Sequence, residues 1–256
     1  MQIITDGLLT TYERLVGVRG GKTVPPVMLV VHGWGDSSRG WLEFSRHFSK
    51  KYDVIVVDLP GFGGTEMPPE PWGLDEYAQF VGHFLRKLNV RPTVIVGHSN
   101  GGAIAIRGLA RGVLQADKLV LLASAGVRSE YKGRKKVLRL VAKTGKLLAQ
   151  PLPGKVKDKL RRKLYTTVGS DMLIAEHLQE TFKRVVGDDV QADAALLQQP
   201  TLLIYGQDDV STPPNFGRLL HEHIPDSTFE LLGDAGHFIY KDQPKRVEKL
   251  VEDFLA

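Results

Sequence analysis

The chain has 256 residues, 42% of them hydrophobic and 25% charged, which is typical of one large soluble domain, alone or with an inserted segment. It has no cysteine, which excludes disulfides and cysteine chemistry, and we expect a cytoplasmic protein because neither a basic secretory leader nor an apolar run of about 18 residues is present. The net charge of +5 is uneven, since residues 128–163 carry 14 Lys or Arg against two acidic residues, a local net charge of +12.

Short apolar runs alternate with helical patterns along the chain. Apolar runs bounded by Gly, Pro or Asp predict buried strands, and apolar residues every three to four positions predict helices. The predicted strands lie within 27–33, 52–64, 93–98, 117–126, 200–206 and 227–233, and the predicted helices include 41–49, 74–88, 103–113 and 242–255. This alternation predicts an α/β fold, a mostly parallel sheet with helices on both faces.

The alternation is interrupted at residues 127–197, where only helical patterns occur. An all-helical insertion into a parallel-sheet protein is typical of a lid. We therefore predict a core formed by residues 1–126 and 198–256, with a helical cap at 127–197.

The stretch VIVGHSNGGAIAI places Ser99 in a G-x-S-x-G pattern between an apolar strand and a small-residue helix. That pattern fits a sharp strand-to-helix turn, in which Gly97 and Gly101 let the backbone pass closely while the serine hydroxyl is exposed. The next residue, Asn100, can then turn its main-chain N–H toward a developing oxyanion. A tight structural turn is the alternative interpretation, but the strand–turn–helix setting favours a nucleophile.

A serine nucleophile needs a base, and His237 is the best candidate among eight histidines. Only His32, His98 and His237 lie at the ends of predicted strands, and His98 is too close in sequence to serve Ser99 across a turn. The base in turn needs an orienting acid, which the loop after strand 200–206 supplies. We predict Asp209 for this role, with Asp208 as the alternative.

An oxyanion hole also needs a second main-chain donor, expected in the loop after the first central strand. That loop reads His32-Gly33-Trp34-Gly35, and we assign the donor to the N–H of Trp34. Gly33 and Gly35 permit a tight path for the backbone. We expect His32 to support this loop through hydrogen bonds, a structural role that we favour over a chemical one.

Taken together, these motifs resemble those of the α/β-hydrolase family over nearly the whole chain. HGWG at 32–35, DLPGFG at 58–63, GHSNGG at 97–102, the G-x-x-D of 206–209 and DAGH at 234–237 stand in the family's order. The resemblance implies an eight-stranded, mostly parallel sheet with a helical cap. It also implies a catalytic triad of Ser99, Asp209 and His237, with an oxyanion hole from the amides of Trp34 and Asn100.

The serine at the turn points to acyl transfer to water, because the dehalogenases and epoxide hydrolases of this family carry an aspartate there. HGWG and DLPGFG are similar to motifs of carboxylesterases such as the pimeloyl-carrier-protein methyl ester esterase, and of meta-cleavage-product hydrolases. Asn100 departs from the bulkier apolar residue often found after the serine. We therefore expect a cofactor-free, metal-free esterase for small to medium acyl chains, including lactones, with C–C bond hydrolysis and a ligand-binding, non-catalytic relative as alternatives.

The basic segment 128–163 allows several interpretations. The plainest is a solvated face of the cap. Alternatively, the segment docks an acidic carrier protein that presents the ester, or an anionic lipid surface. We do not expect nucleic-acid binding, because neither a matching fold nor interleaved aromatic residues are present.

Overall fold

The computed structural model describes residues 1–17, 25–128 and 178–256. Eight strands form one sheet: β1 (Gln2–Thr5), β2 (Leu8–Leu15), β3 (Val27–Val31), β4 (Asp53–Val57), β5 (Val94–His98), β6 (Lys118–Leu122), β7 (Thr201–Gly206) and β8 (Ser227–Leu232). Their order across the sheet is β1-β2-β4-β3-β5-β6-β7-β8. Strand β2 is antiparallel to both of its neighbours, and all pairings from β4 to β8 are parallel. The predicted α/β fold class is confirmed.

The strands β1 and β2 were not among the strands predicted from apolar runs. The β2 sequence, LLTTYERL, alternates buried and half-buried positions instead of forming a continuous apolar run. This is the pattern of a strand that lies toward the edge of a sheet, and it is weaker than the runs of the central strands.

The described helices flank the sheet. They are α1 (Leu42–Phe48), preceded by a 3₁₀ turn at Ser38–Trp41, α2 (Leu74–Leu88), α3 (Asn100–Ala110), α4 (Gln179–Gly187), α5 (Gln191–Ala194), α6 (Pro214–His223), α7 (Ile239–Asp242) and α8 (Pro244–Leu255). In the described part of the chain, none of them is long and apolar enough to cross a bilayer.

Both faces of the sheet are buried, because successive side chains of a strand point to opposite sides. In β3, Leu29 and Val31 join the core cluster that α2 and α3 cover. Met28 and Val30 join a second cluster, which includes residues of α1 and α8. Helices therefore lie on both sides, and the continuous apolar strands of the sequence reflect this double burial.

Most of the predicted cap lies outside the described residues, as does nearly all of the basic segment 128–163. What the structure describes of the insertion is its final part, with α4 and α5 leading back to β7. The predicted division between core and cap at 127 and 197 stays a prediction.

The parallel strands β3 to β8 bring six loops to one edge of the sheet, because their carboxyl ends all point the same way. The loops after β3, β5, β7 and β8 carry Trp34, Ser99, Asp209 and His237, respectively. The loop after β6 begins the insertion. Residues far apart in sequence therefore lie at the same edge.

Candidate active site

Ser99 lies at the sharp turn between β5 and α3, in a backbone conformation with φ 50° and ψ −120°. A positive φ is strained for a residue with a side chain, and such strain persists only where the surroundings enforce it. Here the Ser99 N–H donates to the Leu122 carbonyl at 3.1 Å, and the Ser99 carbonyl accepts from Ala125 at 2.9 Å. These bonds to the end of β6 and its following loop hold the turn.

The glycines of the motif are required by close approach of the backbone. A Cβ added to Gly101 would overlap with the carbonyl oxygen of Val31, and one added to Gly97 would lie 2.6 Å from the Cα of Gly102. Both contacts involve main-chain atoms that cannot move aside cheaply. The motif therefore works as a packing requirement that lets α3 start directly against β3 and β5.

His237 and Asp209 form a hydrogen-bonded pair, with Nδ1 of His237 2.8 Å from Oδ2 of Asp209. The Asp209 side chain has no solvent exposure and the His237 side chain has 14%. An ionised carboxylate can only accept, so Nδ1 of the imidazole donates, and in the neutral tautomer with this donor Nε2 presents a lone pair. This is the tautomer that a general base requires.

The Asp209 carboxylate is held ionised by its surroundings. Burial alone would raise its pKa, but His237, by hydrogen bond and charge, together with the N–H and hydroxyl of Thr212, outweighs burial and lowers the pKa. Oδ1 accepts the N–H groups of Ser211 at 2.8 Å and Thr212 at 2.9 Å. The neighbouring Asp208 is exposed, so of the two predicted candidates Asp209 is the one that contacts His237.

Thr212 was not predicted as a site residue, yet its hydroxyl lies between the acid and the base. Oγ1 is 2.8 Å from Oδ2 of Asp209, 3.1 Å from Nδ1 of His237 and 2.9 Å from the Ala123 carbonyl. The Thr212 hydroxyl has one proton, so at any moment it donates either to Asp209 or to the Ala123 carbonyl. A sequence signal existed: Asp-x-Ser-Thr-Pro is typical of a turn closed by the aspartate side chain.

His98 was excluded as the base because it is too close in sequence to Ser99, but it packs against His237, the candidate base. Its Nε2 donates to the main-chain oxygen of His237 at 3.0 Å, and the two rings are 4.9 Å apart. Burial is the main cause that lowers the pKa of His98 to about 3, and the nearby His237 is the second. The ring is therefore neutral. The partner is a main-chain atom 139 residues away, which no local sequence pattern could indicate.

The loop after β3 is fixed by His32, which is fully buried. Its Nε2 accepts the Leu59 N–H at 3.0 Å, so Nδ1 carries the proton and donates to the Gly33 carbonyl at 2.8 Å. Burial lowers the pKa of His32, which keeps it neutral in this role. The ring thus ties the loop after β3 to the loop after β4, as a structural support would.

The same loop lies directly against the nucleophile turn. A Cβ on Gly33 would be 2.8 Å from Nδ1 of His98 and 3.0 Å from Cβ of Ser99. Gly35 adopts a φ of 74°, which turns the chain sharply after Trp34. Among described residues, neither the N–H of Trp34 nor that of Asn100 donates to another group. Both are therefore available to a ligand.

The returning part of the insertion covers this loop. The Trp34 ring packs edge-on between Phe62, at 4.8 Å, and Phe182 of α4, at 5.1 Å. The main-chain N–H of Trp72 donates to the hydroxyl of Thr181, which also lies in α4, at 3.2 Å. These contacts build an apolar wall over the carboxyl edge of the sheet.

A buried arginine anchors the same segment. Arg107 of α3 is 5% exposed and pairs with Asp75, Asp188 and Asp193 at 3.2, 3.0 and 2.7 Å. Burial alone would lower the pKa of Arg107, but the surrounding carboxylates raise it, so the guanidinium stays charged. Its carboxylate partners join α2, α3 and the α4–α5 region at one point.

Comparison with known proteins identifies the family to which this fold and site belong. The family model described as the alpha/beta hydrolase family matches residues 28–250. The chain belongs to this family. The assignment confirms the resemblance to α/β hydrolases that the sequence motifs indicated. It also supports a hydrolytic enzyme.

Several known members are similar to this hydrolase. A monoacylglycerol lipase from Bos taurus is 25% identical over 96% of the chain and 80% of that protein. A 2-hydroxy-6-oxo-2,4-heptadienoate hydrolase from Pseudomonas putida is 26% identical over 90% of the chain and 89% of that protein. The crystal structure of an enol-lactonase from Burkholderia xenovorans superposes with a TM-score of 0.75, at 21% identity, over 100% of this chain and 99% of that one. This last likeness shows the fold.

No cluster of three or more His, Asp or Glu side chains placed to hold a metal ion occurs within residues 1–17, 25–128 and 178–256. The arrangement described above has the groups that covalent catalysis uses. It offers a hydroxyl on a strained turn, an imidazole paired with a buried carboxylate, and two main-chain N–H groups at the adjoining loops.

Proposed function

We propose that this chain is a serine hydrolase that cleaves carboxylic esters of small to medium acyl chains, including lactones, through an acyl-enzyme. Ser99, His237 and Asp209 would be its catalytic triad. The observation that carries the proposal is the buried Asp209–His237 pair at 2.8 Å, at the same sheet edge as the strained Ser99 turn. A tight turn with only a structural role would not need this pair.

In the proposed reaction, Nε2 of His237 takes the proton of the Ser99 hydroxyl as its oxygen attacks the ester carbonyl. The carbonyl oxygen becomes an oxyanion that accepts hydrogen bonds from the N–H groups of Trp34 and Asn100. The imidazolium returns its proton to the leaving alcohol, and the acyl group stays on Ser99. Water then repeats the sequence and releases the carboxylic acid and the free serine.

Asp209 would contribute through charge and orientation. Because its pKa is lowered, it remains a carboxylate while His237 becomes positively charged, which stabilises the imidazolium. It also fixes the tautomer that leaves Nε2 unprotonated. His98 and Thr212 would act through these two residues as positioning groups.

Two of the similar proteins described above support an ester or lactone as the substrate. Their names describe a monoacylglycerol lipase and an enol-lactonase, and both reactions proceed by transfer of an acyl group to water. The cap would shape the acyl pocket, and most of it lies outside the described residues.

The direct test is Ser99→Ala, assayed with p-nitrophenyl acetate and butyrate. We expect kcat to fall by several powers of ten, because the nucleophile is lost while the fold is kept. A fluorophosphonate probe should label the wild-type protein at Ser99 and leave Ser99→Ala unlabelled. Wild-type turnover in Ser99→Ala would rule the proposal out, and an unlabelled, inactive wild type would favour the ligand-binding alternative.

A second candidate is C–C bond hydrolysis of a vinylogous diketone. It is favoured by the similarity to the 2-hydroxy-6-oxo-2,4-heptadienoate hydrolase along 90% of the chain. The same triad would serve both reactions, so the substrates must separate them. Turnover of a ring-fission dienoate with kcat/KM above that of every ester tested would favour this candidate.

Docking of an acidic carrier protein or an anionic lipid surface to the basic segment 128–163 is part of the same proposal, as is a cytoplasmic location. Opposite charges attract less strongly as salt increases. Activity on a carrier-bound ester should therefore fall between low and high salt, while activity on a small neutral ester should not. Equal salt dependence of the two would contradict docking.

A further inference from the structure

Unpartnered polar atoms are concentrated around the nucleophile turn. In the described part of the chain, six buried side-chain nitrogen or oxygen atoms have no hydrogen-bond partner. Two are the lone hydroxyls of Thr5 and Ser45. The other four belong to Trp34, His98 and Asn100, each within one residue of Ser99 or on the loop that packs against it.

Such atoms are unfavourable in a folded protein, because they lose their bonds to water and gain none in return. Asn100 is the extreme case, since it is 4% exposed and both its Oδ1 and its Nδ2 are unpartnered. A carboxamide here costs stability unless a ligand or a bound water makes hydrogen bonds to it.

The position of Asn100 favours contact with a ligand. It is the first residue of α3, so its side chain shares a helix face with Ala103. The Cβ of Ala103 is 3.0 Å from where a Cβ of Gly126 would be, in the loop after β6. Asn100 therefore lies on the face of α3 that packs toward the loop after β6, where the segment leading to the predicted cap begins.

Trp34 offers a second group from the opposite loop. Its ring belongs to the apolar wall with Phe62 and Phe182, and its indole Nε1–H is buried and unpartnered. Nδ1 of His98 is in a different situation, because Gly33 packs directly against it. A Cβ added to Gly33 would be only 2.8 Å from this nitrogen. Trp34 and Asn100 thus carry the other unpartnered groups beside the nucleophile turn.

We propose that the Asn100 carboxamide and the Trp34 indole N–H bind a hydroxyl group of the substrate close to the scissile carbonyl. A carboxamide both donates and accepts, and an indole N–H only donates. A hydroxyl complements this set, since it can donate to Oδ1 and accept from an N–H. The preferred substrates are then hydroxyl-bearing esters, and this inference rests on the proposed esterase activity.

The hydroxyl can belong to the alcohol part or to the acyl part of the ester, and matched substrates separate the two. On the alcohol side, 2-hydroxyethyl butyrate is compared with propyl butyrate. On the acyl side, methyl 3-hydroxybutyrate is compared with methyl 3-methylbutyrate. In each pair a methyl replaces the hydroxyl at nearly constant shape. We expect kcat/KM to favour the hydroxyl ester by about tenfold or more in one pair.

Two variants test the residues. Asn100→Leu keeps the size class and the main-chain N–H but removes the carboxamide, and Trp34→Phe keeps an aromatic wall without the indole N–H. We expect the hydroxyl-to-methyl ratio of kcat/KM to fall toward one in Asn100→Leu and to fall partly in Trp34→Phe. Ser45→Ala is the matched control, because it removes another unpartnered buried atom, in α1, and should keep the wild-type ratio.

Ratios near one in both wild-type pairs would overturn this inference, even if Asn100→Leu did not fold. So would a wild-type preference that survives in Asn100→Leu. Both results leave the esterase proposal standing, because the wild type still cleaves the esters. Failure of the esterase proposal would look different: no ester of either pair would be cleaved.

Discussion

Nε2 of His98 donates a hydrogen bond to the main-chain oxygen of His237 at 3.0 Å, so the residue before the nucleophile holds the backbone of the candidate base. This contact joins the end of β5 to the loop after β8, and it does not involve the imidazole ring of His237. The ring is neutral because burial, and after it the nearby His237, lowers the pKa of His98, and the proton it keeps is the one on Nε2.

His98 should make stability depend on pH in a defined window. Its pKa is about 3 in the folded chain and 6.5 in an ordinary histidine, so below pH 6.5 the unfolded chain binds a proton that the folded chain rejects. The neutral ring therefore contributes stability that is complete above pH 6.5 and is lost as the pH falls toward 3. The groups around it are His237, Asp36 and Asp209.

Urea unfolding of wild type and His98→Gln between pH 4 and 7 measures this effect. The free energy of unfolding of the wild type should fall by up to about 1.4 kcal/mol per pH unit relative to His98→Gln. Glutamine retains a donor that can reach the His237 carbonyl. Parallel pH curves for the two proteins would show that His98 is not buried neutral.

Asp209 and Asp208 form a matched pair for testing the acid. Asp209→Asn should lower kcat by about 10⁴-fold on p-nitrophenyl butyrate, because an amide cannot stabilise the imidazolium and favours the wrong tautomer. Asp208→Asn changes an exposed neighbour and should retain activity. If Asp208→Asn were the variant with the larger loss, the assignment of the acid would be wrong.

Thr212→Val should weaken the acid–base pair without removing it. The variant keeps the shape but loses the hydroxyl that contacts both Asp209 and His237. We expect kcat to fall by about tenfold and stability by about 1–3 kcal/mol, because a carboxylate oxygen loses a partner. Thr212→Ser should recover most of both, and failure of that recovery would assign the effect to packing.

Gly101→Ala tests the steric account of the nucleophile turn. The added Cβ would overlap with the Val31 carbonyl, so we expect a loss of folded protein or of activity. Gly187→Ala, at the end of α4, meets no atom within 4 Å and should be neutral. Thermal unfolding and turnover of both variants provide the measurement, and an active, stable Gly101→Ala would contradict the account.

Arg107→Met should destabilise the anchor of the returning segment. It leaves three carboxylates facing one another without their buried cation, and we expect the free energy of unfolding to fall by about 3–5 kcal/mol. Arg111 pairs with two of these carboxylates, those of Asp75 and Asp193, but is half exposed, so Arg111→Met should cost about 1 kcal/mol or less. Equal losses in urea unfolding would argue against a special role for Arg107.

The sequence by itself determined the central strands, because each is a continuous apolar run that must be buried on both faces. It also predicted Ser99, because the strand–turn–helix setting of the G-x-S-x-G pattern is contained in a few consecutive residues. The strands β1 and β2 escaped prediction because their alternating pattern is weak, and their place in the sheet depends on pairing with the rest of it.

Only the tertiary structure decided which aspartate meets His237, because two adjacent residues of the same type differ only in the direction their side chains take. It also brought His98 and Thr212 to the site, through contacts with a main-chain oxygen 139 residues away and with an imidazole 25 residues away. A local sequence pattern is enough to predict the backbone geometry of one turn. Contacts between loops depend on how the strands order themselves in the sheet, which no single segment encodes.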